Sequence, residues 1–102
     1  MYWYRFALTE NQIGAGGLLE LERGFEECVI RPAAWKSACL LREREPYEPQ
    51  AIFYICAESP LGEEALSRLF AARPCDAPSL GSIRFWYGDV RLSEALVRTM
   101  SD

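Results

Sequence analysis

The chain has 102 residues, half of them hydrophobic and a quarter charged, with a net charge of −4 and no histidine. That size fits a single domain over 1–102, and the aromatic and aliphatic content excludes an intrinsically disordered chain. The negative balance disfavours general nucleic-acid binding, which relies on cations to neutralise phosphates. No stretch approaches the ~18 uninterrupted apolar residues of a membrane span, and the first residues lack a signal-peptide pattern, so a cytoplasmic location is expected. Ten arginines against one lysine, beside twelve alanines, fit a GC-rich bacterial gene.

Residues 2 to 8 read as a strand, with Tyr4, Phe6 and Leu8 on one face and Trp3, Arg5 and Ala7 on the other. Thr9-Glu10-Asn11-Gln12 then has the form of a capping box, Thr9 as cap and Gln12 three residues on. Between 18 and 30, Leu18, Leu21, Phe25, Cys28 and Val29 recur at helical spacing, which predicts a helix despite Gly24. The competing reading is a hairpin, with Leu19-Glu20-Leu21-Glu22 turning at Arg23-Gly24. Gly14-Ala15-Gly16-Gly17 follows the first strand as a phosphate loop would, but without the Lys or Ser/Thr of such loops it reads as a flexible connection.

Arg31-Pro32 ends this element. Residues 37 to 44 form the next strand, and Glu45-Pro46-Tyr47-Glu48-Pro49 a turn between prolines. Ala51 to Ala57 is apolar on both faces, as a central strand should be. Ser59-Pro60 suggests a helix start, with Leu61, Ala65, Leu66, Leu69 and Phe70 along one side and Arg73-Pro74 as its end. A loop over 75–81 leads to a strand over 82–87, with Ile83, Phe85 and Tyr87 opposite Arg84 and Trp86. Gly88-Asp89 turns the chain into a helix over 90–100 that aligns Leu92, Leu96 and Met100.

The order is that of an α+β, ferredoxin-like βαββαβ(α) fold: a four- to six-stranded antiparallel sheet with helices mainly on one face. In that topology the strand at 82–87 lies beside the first. Tyr4, Phe6, Phe53 and Phe85 are then core under the helices. Trp3, Arg5, Tyr54, Arg84 and Trp86 gather on the other face, to be covered by a partner protein, a second copy or the terminal helix. Trp, Tyr and Arg are the residues enriched in interface hot spots, so these five are the expected partner-binding site.

A second candidate surface is acidic: Glu20, Glu22, Glu26, Glu27, Glu43, Glu45 and Glu48, diluted by Arg42 and Arg44. It suits either solubility or a basic partner. An RNA-recognition-like module is an alternative that requires Trp3, Tyr54 and Trp86 exposed together, although residues 50–57 lack the basic residue and glycine that open the RNP1 motif. A dimeric α/β barrel with a pocket lined by Arg5, Tyr54 or Glu58 is another. Catalysis finds little in the sequence: histidine is absent, no catalytic motif occurs, and no cofactor is implied.

The four cysteines, Cys28, Cys39, Cys56 and Cys75, show neither a C-x-x-C pair nor companion histidines, so no metal site is expected. The first three sit among apolar neighbours, as small hydrophobes do. Cys75, in a loop beside Arg73, is the one expected to be reactive. Together these features point to a small acidic protein-interaction module, an inhibitor, immunity or antitoxin-like factor that binds a partner protein or forms a homodimer.

Overall fold

The computed structural model describes residues 1–32, 37–44 and 50–100. Five strands, β1 (Tyr2–Thr9), β2 (Ala38–Glu43), β3 (Gln50–Ala57), β4 (Arg73–Pro74) and β5 (Ile83–Gly88), form one sheet. Its order is β4-β1-β3-β2-β5, and every neighbouring pair is antiparallel. Four helices accompany it: α1 (Glu10–Gly14), α2 (Gly17–Phe25), α3 (Glu63–Arg68) and α4 (Val90–Met100). The strand that is apolar on both faces, β3, stands in the middle. The turn expected at 45–49 lies outside the described residues.

Local chemistry explains the first helices. The Thr9 hydroxyl accepts from the Gln12 N–H at 3.2 Å, and the Gln12 side chain accepts from the Thr9 N–H at 2.8 Å. This reciprocal pair satisfies two of the free donors at the helix start. Residues 18 to 30 are helical and form no hairpin, because Leu21, Phe25 and Val29, spaced four apart, all need the same dry side. The helix widens over Glu26–Ile30 into a π turn, closed by the Arg31 N–H donating to the Glu26 carbonyl at 2.9 Å.

The third helix is shorter than its sequence suggests. It begins after Gly62, without a side-chain cap, so Ser59 and Pro60 lie before it. Phe70 and Ala71 adopt left-handed backbone angles, φ 56° and 55°, which reverse the chain. Arg73-Pro74 therefore does not terminate a helix. It pairs with Arg5 and Tyr4 as a short edge strand, where proline's missing N–H does no harm.

Two further expectations, both about β5, need correction. The strand near 82–87 pairs with β2, at the sheet edge away from β1. And a β-bulge between Leu40 and Leu41 breaks the alternation of β5, so that Tyr87 faces Leu40 while Phe85 faces Leu41. The helices lie mainly on one face, as expected: α1, α2 and α3 cover one side, while α4, the terminal helix, packs on the other. Two cores result. Tyr4, Phe6, Leu8, Leu21, Phe25, Leu40, Phe53 and Ile55 fill the first, under α2 and α3. Cys39, Leu41, Cys56, Ile83, Leu92 and Leu96 fill the second, under α4. Phe85, expected in the core, is 37% exposed.

Gly88 joins the two cores. Its φ is +108°, and a Cβ there would lie 2.7 Å from the Ala38 carbonyl oxygen and 2.8 Å from the Cys39 Cα. Gly88→Ala combines left-handed strain with a backbone clash, and is expected to cost more than about 2 kcal/mol. Gly62→Ala, with open space around the position, is expected to stay within about 0.5 kcal/mol of wild type. Urea denaturation of the two variants checks the contrast.

Candidate functional site

The second face of the sheet is only half covered. Asp89 anchors α4 beside β2: its carboxylate accepts from the Arg91 N–H at 2.9 Å and from the Ser37 hydroxyl at 2.7 Å. Its own N–H donates to the Ala38 carbonyl at 3.0 Å. The hydrogen bond from Ser37, with smaller help from the α4 backbone, holds the Asp89 carboxyl below the ordinary carboxylate range. From this anchor Leu92 and Leu96 lie over Cys39, Leu41, Cys56 and Ile83. The β1–β3 half lies beyond α4, and Leu80, from the segment linking β4 to β5, also packs on the second core. Half-buried Trp3 and Tyr54 pack against the margin of the second core, and exposed Arg5 sits directly across from Tyr54.

Three of the five expected site residues, Trp3, Arg5 and Tyr54, thus share that surface. Arg84 and Trp86 do not join them. They lie on the α2 side of the sheet, because β5 pairs with β2 and its bulge brings Trp86 onto the first core. There the rings of Phe70, Phe6, Phe53 and Trp86 follow one another, with centroids 5.9, 5.5 and 5.8 Å apart. Arg42 stands directly opposite both Phe53 and Arg84, and its guanidinium lies over the Trp86 ring at 5.1 Å. Arg84 lies over the same ring at 5.6 Å. Burial, then the neighbouring Arg84, push the Arg42 pKa down. The Trp86 Nε1–H is buried without a hydrogen-bond partner among the described residues. Arg42 was legible only as a diluent of the acidic run; its importance depends on the strand opposite it.

Trp3, Tyr54 and Trp86 therefore form no common stacking platform of the kind an RNA-recognition module uses. Arg5 and Tyr54 face away from α2 and α3, whose interface with the sheet is filled by packed apolar side chains.

The acidic residues divide. Glu26 accepts from the Tyr87 hydroxyl at 3.1 Å, and Glu27 pairs with Arg68 at 3.0 Å. Burial, followed by Glu26, raises the Tyr87 pKa. Glu22, Glu26 and Glu27 border a shallow depression of about 230 Å³ together with Arg23 and Arg31. Glu20 borders another, of about 290 Å³, with Arg23 and Arg68. Arginines interleave in both, so the helical surface is mixed in charge. Glu43 ends β2, opposite Ile83, and Glu45 and Glu48 lie outside the described residues.

Cys39 and Cys56 face each other across β2 and β3, fully buried. Burial raises the first from an ordinary 9.0 to about 12, with Cys56 adding to the effect, and the second to about 11. Cys75 was expected to be activated by an arginine. Arg5 does draw its pKa down, but burial outweighs that, and the thiol is raised. Among the described residues no group of three or more Cys, Asp or Glu side chains is placed to hold a metal ion. No helix described is long and apolar enough to cross a membrane. The chain matches no protein-family model, no curated protein and no solved structure.

Both buried thiols hold their protons more tightly folded than unfolded. Their contribution to stability is thus complete below pH 9.0 and is lost as the pH climbs towards about 11 and 12. Thermal melts across pH 8 to 12 are expected to show that decline, and Cys39→Ala/Cys56→Ala to flatten it. An equal slope in the double variant would assign the decline elsewhere.

Proposed function

We propose that this chain is a small acidic protein-interaction module that binds through the β1–β3 half of the second sheet face, centred on Trp3, Arg5 and Tyr54. The observation carrying this reading is the half-buried Trp3–Tyr54 surface beside α4, with an exposed arginine between strands that are otherwise packed. Aromatic and arginine side chains on a rigid sheet provide area and directional hydrogen bonds at little cost in conformational entropy. A second copy of the chain is the first occupant to test, and a basic partner protein the other. The negative charge and the absence of a catalytic constellation in the sequence fit an inhibitor, immunity or antitoxin-like factor of bacterial origin. The four cysteines, all free, suit a reducing cytoplasm. On this reading β4-β1-β3-β2 keeps the split βαβ order of ferredoxin-like folds, and β5 with α4 is an addition at the β2 edge.

Light scattering coupled to size-exclusion chromatography tests the proposal. Wild type is expected to form a dimer whose dissociation constant rises at least about tenfold, a change of roughly 1.4 kcal/mol, in Trp3→Ala/Tyr54→Ala. Far-UV circular dichroism controls for folding. Undiminished assembly in a folded double variant would remove this face from the interface. A strictly monomeric wild type would exclude the second copy, leaving a basic partner as the occupant.

A further inference from the structure

On the α2 side of the sheet, Arg42 and Arg84 are directly opposed across β2 and β5. Like charges at such a position destabilise a sheet. Here both guanidiniums also rest on one indole, at 5.1 and 5.6 Å from its centroid. Arg42 is half-buried, so water compensates it poorly. The ion pair between Arg68 and Glu27 lies on the helical layer, away from both arginines. Trp86 adds a buried N–H donor with no acceptor among the described residues, and a buried donor left unpaired is destabilising. In a chain of net charge −4, two cations and an unpaired donor thus gather at one indole with no carboxylate partner among the described residues.

We propose that Arg42, Arg84 and the Trp86 Nε1–H form a binding site for a dianionic oxyanion, with a phosphate monoester as the matching class. Guanidinium forks bind phosphate oxygens in pairs, and two adjacent forks match a dianion better than a single carboxylate. The indole already carries the two guanidiniums, so the site recognises the phosphate group itself and does not stack a nucleobase. Occupancy removes the Arg–Arg repulsion and gives the indole N–H an acceptor after a small side-chain adjustment. The site lies on the opposite side of the sheet from Trp3 and Tyr54, and it stands or falls independently of the proposed interaction face.

The test is a titration of ¹⁵N-labelled full-length protein with inorganic phosphate and with glycerol phosphate, following the indole N–H resonance assigned by Trp86→Phe. Chloride at equal ionic strength and succinate serve as comparisons. A saturable shift with both phosphates, absent with chloride, is expected, with affinity lost about tenfold or more in Arg84→Gln and in Arg42→Gln. Without phosphate, Arg84→Gln is expected to melt at or above wild type, since one of two opposed like charges is gone. A non-saturating shift, or a shift retained in Arg84→Gln, would overturn the site. Succinate binding as tightly as phosphate would overturn the ligand class. A clear fall in melting temperature for phosphate-free Arg84→Gln would show that a carboxylate already pairs with Arg84, and would overturn the proposal as well.

Discussion

The fold depends on a sheet whose central strand is apolar on both faces. Phe53 and Ile55 of β3 are fully buried against the α2–α3 layer, and Cys56, pointing the other way, is equally buried under α4. A strand of this kind requires cover on two sides, and the chain supplies it unequally. Residues 10–30 and 63–72 serve the first face, whereas the described chain offers α4 and the segment around Leu80 for the second. An 11-residue helix is about 16 Å long and about 10 Å across, while strands lie about 4.8 Å apart. One such helix shields roughly two strands. The Asp89–Ser37 contact places it over β2 and β5, so the β1–β3 half is left with Trp3, Arg5 and Tyr54 at its surface.

What could be read from sequence was mostly local. The capping box at Thr9 and Gln12 is a contact over three residues, and the helical recurrence of Leu21, Phe25 and Val29 needs no knowledge of the rest of the chain. The two-sided apolarity of 51–57 identified the central strand because burial on both faces leaves no polar position. In each case sequence neighbours decide the outcome.

What could not be read depends on which strands meet. Nothing in Ile83 to Gly88 specifies β2 over β1 as partner, and that choice sets the side to which every β5 residue turns. The bulge at Leu40/Leu41 then moves Tyr87 away from Ile83 and Phe85, which strict alternation would group together. Gly88 is the local trace of that event: its left-handed φ and its contact with Ala38 and Cys39 fix where β5 leaves β2. Likewise Arg73-Pro74 looks like a helix stop, since proline cannot extend a helix, yet at a sheet edge the same missing N–H is harmless. The candidate partner site was thus divided, three residues legible together and two displaced by strand pairing.

That division leaves two surfaces of different chemistry on opposite sides of one thin sheet. The β1–β3 half offers apolar area edged by Arg5 and, directly opposite it on β4, Arg73, suited to a broad contact. The Arg42–Trp86–Arg84 group offers little free area but concentrated charge, suited to a small anion. Both draw on β3, which contributes Tyr54 to the first and Phe53, stacked beneath Arg42, to the second. Because adjacent residues of a strand point to opposite faces, Phe53 and Tyr54 cannot serve the same site. Their adjacency is also what ties the two: a change in the twist or position of β3 at this point moves both rings at once.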